Sequence, residues 1–138
     1  MSVDPPEISV LICTRDRAQA LPPSLDSIAA AMRAAGSPAA ELIVVDNGST
    51  DGTTAVVERW AAAAAPPFPV RVVQEARPGL AVARNAALRA ARGRLLVCTD
   101  DDCSLSEGYV RELLAHDAAD GDRLVLRTPG GGGFGDPA

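Results

Sequence analysis

The hydrophobic positions of this chain fall into short continuous runs that alternate with longer segments of helical spacing. The runs are typical of strands buried on both faces, and they occupy 8–14, 41–46, 70–74 and 95–98. The segments that repeat their apolar residues at helical spacing are 21–35, 53–65, 80–91 and 109–118. Because parallel strands are joined by right-handed crossovers, the alternation predicts an α/β fold: a doubly wound, mostly parallel sheet sandwiched by helices.

The pattern also ranks the elements. The run 8–14 is the most continuous and predicts a central strand, whereas 70–74 is weaker and predicts a strand nearer an edge. For the third helix we expect a buried stripe made of Leu80, Ala83, Ala87, Leu88 and Ala91. A short fifth strand is predicted at 123–127. We therefore expect one domain over 1–127, followed by a flexible glycine-rich tail at 128–138.

Composition excludes several functional classes. The net charge is −5 and only 3% of the residues are aromatic, which argues against a nucleic-acid binder. All 13 basic residues are arginine, so a Walker A lysine, a Schiff-base lysine and a Ser-Lys dyad are excluded. The only histidine is His116, which we expect on a helix surface, and a multi-histidine metal site is excluded with it.

The cysteines and the N-terminus bear on the compartment. Cys13, Cys98 and Cys103 are odd in number and lack zinc spacing, which favours small buried hydrophobic side chains in a reducing compartment. The stretch 1–7 holds acids and prolines where a signal peptide has a basic region and an apolar core. No apolar stretch reaches membrane-spanning length without proline, glycine or charge, so we expect no transmembrane segment and a cytoplasmic location.

Polar and acidic side chains stand where three of the predicted strands end. These groups are Thr14-Arg15-Asp16, Asp46-Asn47 and Asp100-Asp101-Asp102. The carboxyl ends of parallel strands lie at one edge of a sheet, and open α/β sheets bind their ligands there. We therefore expect the three groups to form one site.

The three consecutive acids point to a cation. Two unit charges about 4 Å apart repel by roughly 1 kcal/mol in water and about 4 kcal/mol near a protein surface, and a bound cation offsets that cost. Carboxylate oxygens suit hard cations such as Mg²⁺ or Mn²⁺. Taken alone, the acidic run fits a solvated turn equally well, and Asp46 alone fits ordinary turn chemistry before Asn47-Gly48. The coincidence at three strand ends favours a ligand site.

The residues also narrow the ligand. The absence of lysine and of Gly-x-Gly-x-x-Gly after the first strand disfavours P-loop nucleotides and dinucleotides. A strand-end carboxylate can accept hydrogen bonds from a base or ribose, and a carboxylate-held cation can bridge to phosphates. Arg84 offers a planar fork for a base or a phosphate, although its position equally fits a solvated helix face. A metal-bound nucleotide diphosphate is the ligand that these features predict.

Four motifs in order resemble a known family. They are Val10 to Arg17, Ile43 to Thr53, Pro78 to Asn85, and Asp100 to Asp102. In this order and at this spacing the chain is similar to family 2 glycosyltransferases of the GT-A fold, over about 8–114. The resemblance implies a Rossmann-like nucleotide-sugar-binding domain, a nucleotide-diphosphate-sugar donor with a UDP-sugar as first choice, and, in most members, inversion at the anomeric carbon.

The resemblance also implies roles for individual residues. Thr14 and Asp16 border the nucleotide, and Asp46 contacts the base. Arg15 and Asn47 belong to the same nucleotide-sugar-binding set. Arg84 flanks the base or the diphosphate, Asp100 and Asp101 lie near the ribose and the donor, and Asp102 closes an Asp-x-Asp motif that holds Mn²⁺ or Mg²⁺.

Such enzymes have a second half that supplies the acceptor site and a carboxylate general base. No residue here is assigned to that base, and we expect the chain to be a truncated, donor-binding half, with a homodimer or a partner chain covering the truncated side. The alternatives are a non-catalytic nucleotide-sugar-binding module, a phospho-acceptor regulatory domain, and a metal-dependent phosphotransferase. The regulatory domain is disfavoured by the missing lysine, and the phosphotransferase requires Asp16 as its nucleophile.

Overall fold

The chain forms a parallel sheet with helices on both faces, as the alternation predicts. The computed structural model describes residues 5–120 and 125–127. In chain order the elements are β1 Ile8–Thr14, α1 Leu21–Ala34, β2 Ala40–Asp46, α2 Thr53–Ala64, β3 Val70–Gln74, α3 Leu80–Ala90, β4 Leu95–Asp100, α4 Tyr109–Asp120 and β5 Val125–Arg127. The predicted tail at 128–138 and the start of the predicted fifth strand lie outside the described residues.

The strand order is β3-β2-β1-β4-β5, and every neighbouring pair is parallel. The prediction that β1 is central and β3 an edge strand is thereby confirmed. Since β1 has β2 on one side and β4 on the other, the chain reverses its direction of winding between β1 and β4. This reversal is the switch point at which open α/β sheets bind ligands.

Alternate residues of the strands belong to two hydrophobic clusters, one on each face of the sheet. On the first face, Ile12 and Val44 pack with residues of α1, α2 and α4, such as Leu25 and Val57. On the second face the strands pack against α3. Side chains alternate along a strand, so each buried strand must be apolar on both faces, which explains the continuous apolar runs.

The third helix departs from its predicted stripe. Ala83 and Ala87 are buried as expected, but Leu80 is 55% exposed and Leu88 is 41% exposed, and the third buried position is Ala86. Alanine side chains allow α3 to lie close against Leu11 and other residues of β1 and β2. The two leucines therefore lie to the side of the real contact stripe, and the prediction for both was wrong.

Three smaller expectations have clear outcomes. The three cysteines are unpaired and half-buried rather than fully buried. His116 is exposed on α4, as predicted. Within the part of the chain described, no helix combines the length and the apolar character that a membrane crossing requires.

Candidate functional site

The ends of β1, β2 and β4 meet at one edge of the sheet. In the strand register Thr14 lies opposite Asp46, and Cys13 lies opposite Asp100. The three polar groups that the sequence places at strand ends are therefore neighbours in space. The expectation that the three groups lie close together at the carboxyl edge is confirmed, and their use as one ligand site stays a prediction.

The loop after β1 is tied to the loop after β2 by reciprocal hydrogen bonds. The Asp16 amide donates to Ser49 Oγ at 2.9 Å, and the Thr50 amide donates to Asp16 Oδ1 at 2.7 Å. Asp16 has a φ of +53°, a left-handed conformation that aspartate tolerates better than most residues. One carboxylate oxygen of this exposed side chain thus holds the two loops together at the rim of the site.

Asp46 is buried and serves the turn that follows its own strand. Its Oδ1 accepts a hydrogen bond from the Ser49 amide at 3.0 Å, and its Oδ2 accepts one from the Thr54 hydroxyl in α2. The Asp46 carboxylate therefore faces α2. The turn chemistry considered for this residue describes its local contacts, and its contact with a base stays a prediction.

Asn47 is buried and directs its side-chain amide into the loop between β3 and α3. Its Nδ2 donates to the carbonyls of Glu75 and Arg77 at 2.9 and 2.8 Å, and its Oδ1 accepts from the Gly79 amide at 3.2 Å. Both amide hydrogens are in use within the protein. The predicted contact of Asn47 with the nucleotide stays a prediction.

A cavity of about 260 Å³ opens between the ends of β1 and β2 and the beginning of α3. It is lined by Cys13, Thr14, Arg15, Asn47, Gly79, Leu80 and Ala83. The position of the exposed Leu80 is explained here, because its side chain forms part of the cavity wall. An apolar side chain beside polar backbone groups is a suitable surface for a planar ring.

The Cys13 thiol in the cavity lining behaves as an apolar group. Burial raises the pKa of the Cys13 thiol to about 11, with a further increase from Cys98, while the positive charge of Arg84 opposes the shift. The thiol is therefore protonated at neutral pH and acts as an apolar surface. Arg84 lies on α3, one helical turn after the cavity residue Leu80. Among the described residues, Arg84 makes no hydrogen bond or ion pair with another side chain.

The three consecutive acids divide into two groups. Asp100 and Asp102 are exposed, and their carboxylate oxygens and the Cys103 sulfur lie within 4.8 Å of one another. Asp101 points inward: it accepts a hydrogen bond from the Thr14 hydroxyl at 2.8 Å and lies 4.0 Å from the Arg17 guanidinium. Two of the three acids thus form a pair, and the middle one fixes the end of β1.

The acid pair fits a hard divalent cation. Two carboxylates at this separation repel each other, and no Arg in the described part of the chain forms an ion pair with either one. Carboxylate oxygens are the ligands that Mg²⁺ and Mn²⁺ prefer. The structure therefore makes Asp100 a second candidate metal ligand beside Asp102.

Sequence reasoning missed Cys13, Gly79, Leu80 and Ala83 as cavity residues. A signal was present, because Pro78-Gly79 marks the start of a helix at the correct edge of the sheet. The apolar character of Leu80 instead placed it in the predicted core. Sequence reasoning did not separate Asp101 from its two neighbours, which lie with it where β4 ends in a turn.

Comparison with known proteins agrees with this geometry. The family model described as glycosyl transferase family 2 matches residues 9–133. YfnE of Bacillus subtilis (strain 168), an uncharacterized glycosyltransferase, is 40% identical over 80 residues, which cover 56% of this chain and 19% of that protein. The chain thus spans about a fifth of the length of this curated relative.

Two solved structures show the same fold. The mannosyltransferase PcManGT from Pyrobaculum calidifontis, in complex with GDP-Man and Mn²⁺, superposes with a TM-score of 0.67 and 33% identity, covering 81% of this chain and 33% of that one. Glucosyl-3-phosphoglycerate synthase from Mycobacterium tuberculosis, in complex with Mn²⁺, UDP and phosphoglyceric acid, gives a TM-score of 0.62 and 27% identity, covering 80% and 38%.

Proposed function

Because the chain belongs to glycosyl transferase family 2, we propose that it binds a nucleotide-diphosphate sugar together with a divalent cation at the carboxyl edge of its sheet. The sugar is then transferred to an acceptor. One observation carries the proposal: an acid pair without a cationic partner among the described residues and a cavity suited to a planar ring lie at the same sheet edge, on neighbouring strands.

The base of the nucleotide occupies the cavity in this proposal. Its ring packs against Leu80 and Cys13, and the backbone near Thr14 and Arg15 meets its polar edge. Asp16 and Asp46 border the nucleotide from the two cross-linked loops. Arg84, one helical turn after Leu80, flanks the base or the diphosphate. A UDP-sugar is our first choice of donor.

The cation is held by Asp102 with Asp100, and Mn²⁺ or Mg²⁺ is the ion that these oxygens suit. When bound, it would neutralise the charge that develops on the leaving nucleoside diphosphate. Asp101 keeps the pair in place from behind, through its contacts with Thr14 and Ser24. The names of both solved relatives include Mn²⁺ and a nucleotide, which supports this assignment.

Transfer proceeds with inversion in this proposal, by direct attack of the acceptor hydroxyl on the anomeric carbon. A general base must remove the proton of that hydroxyl. We assign that base to no residue of this chain. The proposal therefore separates into two measurable parts, donor binding and sugar transfer.

Donor binding is tested by calorimetry with UDP and GDP, each with and without Mn²⁺, on the parent chain and on Asp102→Asn. We expect Mn²⁺-dependent binding of one nucleotide, weakened at least about 100-fold in the variant because a metal ligand is lost. Glu58→Gln is the matched control, since Glu58 is exposed on α2 and its substitution also removes one negative charge. Equal affinity in the parent and in Asp102→Asn contradicts the metal role.

A transfer assay with a radiolabelled UDP-sugar then separates an enzyme from a binding module. Release of the labelled sugar to water or to an added acceptor supports the transferase. Binding without either reaction supports a non-catalytic nucleotide-sugar-binding module.

A further inference from the structure

One wall of the cavity belongs to a helix that packs on the sheet through small side chains. Gly79, Leu80 and Ala83 form this wall, and α3 packs on β1 and β2 through the alanines Ala83, Ala86 and Ala87. A buried alanine contributes a single methyl group, so these contacts let α3 lie close to the sheet without long side chains that interlock with it. Polar contacts at the ends of α3 therefore help to fix its position.

Asn47 provides the contact at the beginning of α3. Its side chain is nine-tenths buried, at 8% exposure. It bonds the Glu75 and Arg77 carbonyls and the Gly79 amide, which span the whole connection from β3 to α3. Its own backbone amide donates to the Thr14 carbonyl at 2.9 Å, which ties this connection to the end of β1.

The opposite end of α3 is held independently. Arg71 in β3 donates from Nη2 to the Ala90 carbonyl at 2.6 Å, at the last residue of the helix. Loss of the Asn47 contacts would therefore release the first turn of α3 while its last turn stays anchored. The first turn is the part that lines the cavity.

We propose that Asn47 is a positioning residue for base recognition: it fixes Gly79 and Leu80 so that the cavity keeps a shape that fits a planar ring. In this role the Asn47 amide does not contact the nucleotide. This inference rests on the proposed function, because it names the ligand group in the cavity as a base. It predicts that Asn47 matters for the base and not for the diphosphate.

Asn47→Asp is the sharpest variant, because aspartate has the same shape. It replaces the amide nitrogen, which donates to two carbonyl oxygens at less than 3 Å, by an oxygen that repels them. The bond to the Gly79 amide can persist. Asn85→Asp is the matched control, since Asn85 is an exposed amide on the same helix and the charge change is identical.

Two measurements test the proposal. Hydrogen exchange of the backbone amides over 77–83 is expected to accelerate in Asn47→Asp, with the end of α3 unchanged. Calorimetry with Mn²⁺ is expected to show UDP affinity reduced about 10- to 100-fold, the effect of a small displacement of binding groups. Binding of inorganic pyrophosphate, which has no base, is expected to stay within about twofold of the parent chain, since the acid pair is a separate site.

The outcomes separate this inference from the proposed function. If the parent chain binds neither UDP nor GDP, the proposed function fails, and the exchange measurement still decides whether Asn47 holds the helix. Unchanged exchange over 77–83 overturns the inference, as does equal weakening of UDP and pyrophosphate, which indicates general destabilisation. Asn47→Ala, measured in the same way, keeps the test valid if Asn47→Asp does not fold.

Discussion

The two ends of the sheet differ in whether their carboxylates have cationic partners. At the amino end, Glu41 is 1% exposed and meets two guanidinium groups, Arg71 at 3.0 Å and Arg92 at 3.4 Å. At the carboxyl end, Asp100 and Asp102 are exposed, and no cationic side chain in the described part of the chain pairs with them. In the first arrangement the carboxylate is paired within the protein, whereas the second leaves two carboxylates for the cation that we propose.

At the amino end, several hydrogen-bond donors surround the buried carboxylate of Glu41. Glu41 also accepts hydrogen bonds from the Ser9 hydroxyl at 2.6 Å and from the Arg92 amide at 2.8 Å. Burial acts to raise the pKa of Glu41, but the bonds from Ser9, Arg92 and Arg71 outweigh it and hold the pKa below its usual value. These contacts join β1, β2, β3 and the segment that leads into β4. A carboxylate with this many donors stabilises the fold.

The largest expected loss of stability follows from a substitution at the amino end, where Gly93 lies against the backbone of Ser9. Gly93 donates its amide to Ser9 Oγ at 2.8 Å, and a Cβ at this position would lie 2.7 Å from the Ser9 backbone nitrogen. Because that neighbour is backbone in a central strand and cannot yield, Gly93→Ala should lower the free energy of unfolding by about 3 kcal/mol. Urea denaturation followed by circular dichroism measures the change.

Gly108→Ala is the matched control for that substitution. A Cβ there would meet only the end of the Arg111 side chain, at 3.4 Å, which can move aside. We expect a change of less than about 0.5 kcal/mol in the control. Similar losses in the two variants would show that the amino end is not tightly packed.

A smaller effect is expected from the charge itself. Glu41→Gln keeps the shape but removes the charge that Arg71 and Arg92 face, and charged hydrogen bonds of this kind contribute about 2 kcal/mol. Since the folded-state pKa of Glu41 is depressed, its contribution is present above its usual pKa of 4.5 and is lost as the pH falls through the folded value. The parent and the variant should therefore differ at pH 7 and converge below pH 4.5.

Urea titrations at several pH values measure that difference. Glu58→Gln, on the exposed surface of α2, is expected to show almost no difference at any pH. A gap between the parent and Glu41→Gln that stays constant down to low pH would contradict the role of the ionised carboxylate.

The sequence predicts the fold of this chain much better than it predicts the contacts at either end. The continuous apolar runs place β1, β2 and β4 nearly to the residue because both faces of these strands are largely buried, and the half-buried β3 is placed by its valines. Glu41 gives no such signal, since an acid at the start of a strand is usually solvated and its partners lie 30 and 51 residues away. The different contacts of Asp100, Asp101 and Asp102 are equally hard to predict from the sequence, because they depend on the direction of each side chain where β4 ends.

The smallest expected effect has the opposite sign and lies at the carboxyl end. Without metal, the carboxylates of Asp100 and Asp102 repel each other, and Asp102→Asn removes that repulsion while keeping the shape of the side chain. At an exposed site the gain in the free energy of unfolding should be no more than about 1 kcal/mol. Urea denaturation with a chelator present measures it, and added Mn²⁺ should stabilise the parent chain but not the variant. A loss of stability in metal-free Asp102→Asn would mean that this acid holds the fold together as Glu41 does, and the contrast between the two ends would fail.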